Sequence, residues 1–190
     1  MERIITGWDR TWKRYYEALE SVTAIRRIAL ATGFALLTAL SAQLYVRLPF
    51  TPVPVTGQVL VVLLAGILLG RKTGALSQLL YLSGGIAGVN WFYGAEAGFR
   101  HTTGYIIGFV FAAWLIGLLT EKNRTKTHTV FAMLCGITVI LLCGTTWLAF
   151  FLRIPIGKAF VLGFLPFIPF DVVKAYCAGI IAQTIIRNRS

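Results

Sequence analysis

Two oppositely charged residues, Asp171 and Lys174, lie three positions apart in an apolar stretch near the end of the chain. A charge inside a membrane-spanning helix costs about 2.5 to 3.5 kcal/mol on insertion scales, so it needs a partner or a function. At this spacing both side chains share one helical face, and Asp171 falls in the first turn, where the helix dipole favours an anion. Either the pair is a structural salt bridge or helix cap, or it offers an acceptor and a donor to a ligand in a cavity.

A second group of polar side chains is interspersed with aromatic residues between Asn90 and His101. Aromatic rings with a few polar groups are typical of a ligand lid, with Asn90 and Arg100 as the candidate ligand-binding residues. They are equally typical of an aromatic belt at a membrane interface, in which Arg100 pairs with Glu96. Composition does not separate the two interpretations.

The composition indicates that these polar and charged residues belong to a membrane protein. The 190 residues are 57% hydrophobic and 13% charged, with a mean hydropathy of +0.75, and a water-soluble domain of this length could not bury so much apolar surface. We therefore expect an all-α integral membrane protein with about six transmembrane helices in one domain, residues 28–187. The predicted spans are Ile28 to Val46, Val55 to Gly70, Ala75 to Val89, Gly104 to Leu119, Val130 to Leu152 and Phe170 to Ile186.

Three segments that lie before or between these spans have distinct sequence patterns. Residues 1–27 form an N-terminal segment in which Trp8 to Arg27 has the pattern of an amphipathic, interfacial helix. Only Arg71, Lys72 and Thr73 separate the second and third spans, which predicts a tight antiparallel hairpin. Arg153 to Pro169 carries prolines around an apolar stretch too short to cross, which predicts a re-entrant or surface segment before the last helix.

The net charge of +11 reflects the orientation of the protein in the membrane and does not indicate nucleic-acid binding, because the basic residues lie almost entirely between the apolar runs. Of the 18 Lys and Arg residues, Arg47, Arg100, Arg153 and Lys158 fall on one side, Lys174 lies inside a span, and the remaining 13 fall on the side of both termini. The positive-inside rule therefore predicts cytoplasmic termini in a multi-pass protein of the plasma membrane. The longer, aromatic loops then face outward, and so does any pocket that they cover.

Small residues repeat at four-residue spacing in the first span, at Ala31, Ala35 and Ala39. Such a stripe lets another helix approach closely, and the spacing does not distinguish a helix of the same chain from a partner's.

Motifs for catalysis are absent from the sequence. Gly70-Arg71-Lys72-Thr73 lacks the Gly-Lys step of a P-loop, and neither G-x-S-x-G nor H-E-x-x-H occurs. Cys135, Cys143 and Cys177 lie in apolar runs and imply neither a disulfide framework nor a metal site. We expect no enzymatic activity, no catalytic residues and no cofactor.

Several motifs together resemble the BioY family, the biotin-capturing S subunits of energy-coupling-factor (ECF) transporters. The resemblance covers about Ile28 to Ile186. It rests on Pro52-Val-Pro-Val-Thr-Gly-Gln58, Leu63-Leu-Ala-Gly-Ile-Leu-Leu-Gly70, Gly74-Ala-Leu-Ser-Gln-Leu-Leu-Tyr-Leu82, Thr103-Gly-Tyr-Ile-Ile-Gly-Phe109 and Pro169-Phe-Asp-Val-Val-Lys-Ala175.

The resemblance implies a six-helix, prokaryotic subunit that binds biotin near the outer face and works with a transmembrane coupling (T) subunit and ABC ATPases. It implies ligand-binding roles for Asp171, Lys174, Asn90 and Arg100, with either Arg100 or Lys174 pairing with the biotin carboxylate. It also implies that Ala31, Ala35 and Ala39 meet the coupling subunit. The alternatives are an S subunit for another vitamin and a stand-alone biotin facilitator.

Overall fold

The computed structural model describes residues 23–122 and 125–187 as a helical bundle. Its helices are α1 (Ala24–Ala42), α2 (Gln58–Ile86), α3 (Thr103–Lys122), α4 (Lys126–Leu152), α5 (Ile156–Gly163) and α6 (Ile168–Arg187). Five helical stretches among these residues are long and apolar enough to cross a membrane, the last of them running from Ile156 to Ile186 through α5 and α6. Many large apolar side chains point outward, for example Leu40, Phe150 and Val173, as expected for a surface that contacts lipid.

The first span lies four residues earlier in the chain than the sequence predicts, because α1 starts at Ala24 and ends at Ala42 instead of running from Ile28 to Val46. Tyr45 and Val46 form strand β1, which pairs antiparallel with β2 at Val55 and Thr56. Three prolines lie in the loop between the strands and cannot continue a helix. The two short strands hold this proline-rich loop as a hairpin over one end of the bundle.

Helix α2 reverses direction in its middle, at Gly70. This residue has φ 72° and ψ 177°, a conformation essentially confined to glycine. A Cβ at Gly74 would lie 2.8 Å from the carbonyl oxygen of Ala65, so residues on either side of Gly70 lie side by side. The segment therefore forms the tight antiparallel hairpin that the sequence predicts.

Small residues allow α2, α3 and α4 to pack closely at the centre of the bundle. A Cβ at Gly66 would lie 2.8 Å from the Cβ of Ile116 on α3, and Gly136 on α4 faces the same isoleucine side chain. At the end where α2 reverses, Gly117 lies against the backbone of Arg71. These contacts fix the positions of α3 and α4, which carry most of the apolar residues of the site described below.

The chain between α4 and α6 does not cross the bundle. Its helix α5 has eight residues, about 12 Å at 1.5 Å per residue, and is followed by a 3-10 turn at Leu165–Phe167. Helix α6 then starts at Ile168 and presents Asp171, Ala175 and Ala178 to the interior. A short segment before the last helix was predicted, and it consists of this helix and turn.

The alanine stripe of α1 packs inside the chain. Ala31, Ala35 and Ala39 are 0%, 2% and 8% exposed, and the neighbouring Thr38 contacts Gln78 of α2. In this structure the stripe is therefore covered within the chain, and its contact with a coupling subunit, which the resemblance implied, stays a prediction. Of the predicted N-terminal segment, Ala24 to Arg27 belong to α1, and residues 1–22 lie outside the described part.

Candidate functional site

A cavity, here called the main cavity, lies beneath the loop between α1 and α2. It encloses about 510 Å³ of unfilled space, counting the part open to solvent. Its wall is mostly apolar, with contributions from α3, α4 and the turn before α6. The lining residues are Val53, Pro54, Thr56, Gln58, Val59, Tyr93, Thr102, Tyr105, Ile106, Phe109, Ile140, Leu141, Phe167, Asp171 and Lys174.

Among the residues that the structure describes, Asp171 and Lys174 alone bring full charges to the wall of the main cavity. The Lys174 Nζ donates to Asp171 Oδ1 at 2.7 Å, and the two side chains are 16% and 2% exposed. The inward face of α6 places both residues here, since Val172 and Val173 between them point outward. A carboxylate has two oxygens and an ammonium three N–H donors, so the pair retains hydrogen-bonding capacity toward a ligand.

Two polar residues in the wall of the main cavity, Thr56 and Gln58, belong to a series of hydrogen bonds. The Thr56 hydroxyl donates to Gln58 Oε1 at 2.9 Å, and Gln58 Nε2 lies 2.7 Å from the Tyr81 hydroxyl oxygen, to which it donates. The Tyr81 hydroxyl in turn donates to the carbonyl oxygen of Trp91 at 3.2 Å. Gln58 therefore reaches the main cavity in an orientation set by both of its neighbours.

The proline-rich loop that covers the main cavity is attached at two points. The Thr51 hydroxyl donates to the carbonyl oxygen of Leu162 in α5 at 2.6 Å. His101 Nε2 lies 3.0 Å from the carbonyl oxygen of Pro52, a contact that requires a proton on Nε2. The loop is thus tied to α5 on one side and to the start of α3 on the other.

The aromatic segment between α2 and α3 is packed against the bundle. Phe92 is 1% exposed, and its ring occupies the space above Gly85, where a Cβ would collide with it. The indole of Trp91 donates to the carbonyl oxygen of Tyr81 at 2.9 Å. The side-chain amide of Gln43 at the end of α1 contacts the segment as well, donating to the carbonyl oxygen of Phe92 at 3.0 Å.

A second cavity, here called the charged cavity, adjoins the main cavity and shares Pro54 and Tyr93 with it. It encloses about 650 Å³, again including space open to solvent. Arg47, Glu96 and Arg100 line it together with Leu48, Thr51 and Pro52. Arg100 is held by its backbone, since its N–H donates to Thr103 Oγ1 at 2.8 Å and its carbonyl accepts from the Trp147 indole at 2.7 Å.

Two titratable groups of these loops have shifted pKa values. Burial is the main cause for both: it raises the pKa of the Tyr93 hydroxyl and lowers the pKa of the His101 imidazole. The nearby Arg100 adds to the lowering for His101, while the Pro52 carbonyl and Glu96 oppose it. His101 is therefore neutral at neutral pH, and the positive charge at this end of the protein comes from arginine and lysine.

The four predicted ligand-binding residues fall in three places. Asp171 and Lys174 lie together on the main cavity, and Arg100 lies next door on the charged cavity, paired with Glu96. Asn90 is exposed and lines neither cavity. Among the described residues, no group of three or more His, Cys, Asp or Glu side chains could hold a metal ion.

Sequence reasoning assigned no role to Gln58, Tyr105 or Arg47, all of which line one of the cavities. Gln58 ends the Pro52 to Gln58 motif, so its position was a usable signal. Tyr105 donates to the carbonyl oxygen of Gly163 at 2.7 Å, a contact between residues 58 positions apart that no local pattern indicates.

Comparisons with known proteins give a consistent result. The model of the BioY family matches residues 13–190. A probable biotin transporter BioY of Pyrococcus horikoshii is 42% identical over 167 residues, covering 86% of this chain and 98% of the relative. The biotin transporter BioY of Thermotoga maritima is 34% identical, covering 83% and 94%. The crystal structure of the S-component for biotin from an ECF-type ABC transporter has a TM-score of 0.80 at 24% identity, covering 88% of this chain and 95% of that one.

Proposed function

The chain belongs to the BioY family, and we propose that it captures biotin for uptake across the cell membrane. The observation that carries this proposal is the buried Asp171–Lys174 pair on the wall of a largely apolar cavity. Biotin combines a ureido ring, which has N–H donors and a carbonyl, with an apolar thiophane ring and a carboxylate tail. A cavity with few polar groups on an apolar wall suits such a ligand.

In the proposed complex, the ureido ring binds at α6. The free oxygen of Asp171 accepts from a ureido N–H, and Lys174 donates to the ureido carbonyl while it remains paired with the carboxylate. The thiophane ring contacts apolar side chains of α3 and α4, such as Ile106 and Leu141. Asn90 and Arg100 remain proposed ligand-binding residues, with Asn90 in need of a loop movement to reach either cavity.

The proposed topology has six membrane crossings and cytoplasmic termini. The hairpin at Gly70 supports the count, because it divides α2 into two antiparallel halves. The basic residues support the orientation, since Arg71 lies at the reversal of α2 while Arg47 and Arg100 lie at the opposite end, beside the site. The site then opens to the outside of the cell.

We further propose that uptake needs an ECF coupling subunit and ABC ATPases, because the sequence has no P-loop that could hydrolyse ATP. The solved S-component for biotin, which has the same fold, belongs to an ECF-type ABC transporter. A stand-alone facilitator would instead take up biotin in cells that lack any coupling subunit. Uptake assays with this chain alone and with a coupling module separate the two.

Biotin binding to the purified full-length protein tests the proposal. We expect saturable binding that is lost in Asp171→Asn and Lys174→Ala, and retained in Lys158→Ala, which changes an exposed lysine of α5 outside both cavities. Competition with other unlabelled vitamins tests whether a different vitamin is preferred. Binding that is micromolar or weaker, and unaffected by the two α6 substitutions, would contradict the site.

A further inference from the structure

Gln58, the first residue of α2, is the one carboxamide among the described residues that line the main cavity. The residue is 5% exposed, so it is almost completely enclosed. Asn90, for which the resemblance implied a ligand-binding role, is exposed and lines neither cavity. In this structure an amide contact with a ligand in the main cavity therefore has to come from Gln58.

The side-chain amide of Gln58 has hydrogen-bonding capacity that the protein does not use. A carboxamide has two N–H donors and two lone pairs on its oxygen. The Thr56 hydroxyl occupies one lone pair, and the Tyr81 hydroxyl oxygen accepts from one N–H. Within the described part of the chain this side chain makes no further hydrogen bond. One donor and one acceptor therefore remain, and such groups are unfavourable at a buried position unless a ligand or water meets them.

The neighbours of Gln58 fix which way its amide faces. The Tyr81 hydroxyl donates its only proton to the carbonyl oxygen of Trp91 at 3.2 Å, so it can only accept from Gln58. The Thr56 hydroxyl accepts from the backbone N–H of Gln58 at 3.4 Å and donates to Oε1 at 2.9 Å. A flipped amide would turn its oxygen toward Tyr81 and break the bond between Tyr81 and Trp91. The free donor and acceptor are thus held in place before a ligand arrives.

The hydrogen-bonding groups of a cyclic urea match those that the cavity offers. The urea has two N–H donors and a carbonyl oxygen with two lone pairs. In the proposed complex, Asp171 accepts from one N–H and Lys174 donates to the carbonyl oxygen. One N–H and one lone pair of the urea remain, and these two groups are adjacent in the ring. Gln58, with one donor and one acceptor on the same amide, complements the edge of the urea that α6 leaves open.

We propose that Gln58 binds the ureido group of the ligand directly, donating to its carbonyl oxygen and accepting from the N–H that Asp171 does not bind. This inference rests on the proposed function and deepens it, because it makes Gln58 a specificity-determining residue for cyclic ureas. Thr56 and Tyr81 are positioning residues that act through Gln58. A carboxylic acid of similar shape without the ureido group would leave the polar groups of Gln58 unpaired, so the site discriminates against it.

Binding of biotin and of thiobiotin, in which sulfur replaces the ureido oxygen, to the purified full-length protein tests the proposal. Thiocarbonyl sulfur is the weaker acceptor, so we expect wild-type protein to prefer biotin. Gln58→Met keeps a side chain of similar size without the amide. It should weaken biotin binding about tenfold and thiobiotin binding only about threefold, because thiobiotin loses mainly the N–H contact. Gln58→Glu, which keeps the acceptor and lacks the N–H, should also narrow the preference, so the test does not depend on one variant.

Gln43→Met is the matched control. Gln43 holds the aromatic segment by donating to the carbonyl oxygen of Phe92 and accepting from the backbone N–H of Ala95, but it lines neither cavity. The substitution should leave the preference for biotin over thiobiotin unchanged, even where it lowers the unfolding temperature.

Other outcomes would overturn the inference. Equal weakening of both ligands by the Gln58 variants would mean that Gln58 only supports the structure, and so would a narrowed preference in Gln43→Met. Equal affinity of wild-type protein for the two ligands would mean that the carbonyl oxygen has no directed donor. If wild-type protein bound neither compound, the proposed function itself would fail, whereas biotin binding with an unchanged preference in both Gln58 variants would contradict only the role of Gln58.

Discussion

Gln58 and Tyr81, which lie 23 positions apart, are joined by a hydrogen bond of 2.7 Å between the two ends of the α2 hairpin. In a straight helix their Cα atoms would be about 35 Å apart, so the bond exists only because the chain reverses at Gly70. One end of the bond lines the main cavity. The hairpin therefore sets the orientation of a side chain in the candidate site.

Tyr81→Phe should weaken both stability and biotin binding. The substitution removes the acceptor of the buried Gln58 amide, and an unpaired buried donor costs about 1 to 3 kcal/mol. Thermal unfolding in detergent and biotin titration measure the two effects. Tyr176→Phe serves as the control, since Tyr176 is 72% exposed on α6. Equal unfolding temperatures and equal biotin affinities of the two variants would contradict the prediction that the Gln58–Tyr81 hydrogen bond supports stability and binding.

The Asp171–Lys174 pair should contribute to binding beyond its effect on stability. Asp171→Asn leaves the ammonium of Lys174, whose side chain is 16% exposed, without its counter-ion, and we expect the free energy of unfolding to fall by about 3 to 5 kcal/mol. The double variant Asp171→Leu with Lys174→Met should recover stability, because it replaces the pair by apolar side chains, and should still fail to bind biotin. Thermal unfolding and binding of the double variant check this, and biotin binding by it would refute a ligand role.

Gly70→Ala should destabilise the hairpin of α2. The φ of 72° and ψ of 177° at this position suit glycine alone, and strain of this kind costs about 1 to 3 kcal/mol. Gly33→Ala in α1 is the control, because a Cβ there meets nothing within 4 Å. We expect a lower unfolding temperature for the first variant and an unchanged or higher one for the second.

Stability should fall on acidification through His101. Because burial lowers its pKa below the usual 6.5, the unfolded chain binds the proton more readily than the folded protein. The contribution of His101 is thus complete above about pH 6.5 and declines as the pH falls below this value. Unfolding temperatures at pH 7.5 and 5.5 should differ less in His101→Gln than in wild type or in His128→Gln. An identical pH dependence in all three would contradict the assignment.

Ala35→Leu should destabilise the protein even without any partner. Ala35 is 2% exposed, and a larger side chain would push α1 away from its neighbours, with a typical cost of about 1 to 3 kcal/mol. Thr32→Leu places the same side chain at an exposed position of α1 and should have little effect. If Ala35→Leu left the unfolding temperature unchanged and only prevented assembly with a coupling subunit, the stripe would be a partner surface.

The charges of α6 and the reversal of α2 could be predicted from the sequence because each depends on neighbouring residues. Asp171 and Lys174 share a helical face at three-residue spacing, and two apolar runs joined by Arg71 to Thr73 leave room only for a tight turn. The BioY resemblance, confirmed by the family model, then identified the class of protein.

Features that depend on distant contacts were missed. The two-residue strands at Tyr45 and Val55 are too short to show an alternating pattern, and the first span ends four residues before the predicted Val46. The charged cavity gathers Arg47 and Arg100, which are 53 positions apart. The alanine stripe could not be assigned by spacing, because internal and external helices require the same small residues.

The order of these elements along the chain has a consequence for biosynthesis. The α2 hairpin and the α3–α4 contacts join neighbouring segments and can form as soon as they leave the ribosome. The bonds Thr51–Leu162 and Tyr105–Gly163, together with the arrival of Asp171, require the last fifth of the chain. A nascent chain acquires the Asp171–Lys174 pair only when α6 joins the bundle, so the proposed site is incomplete until then.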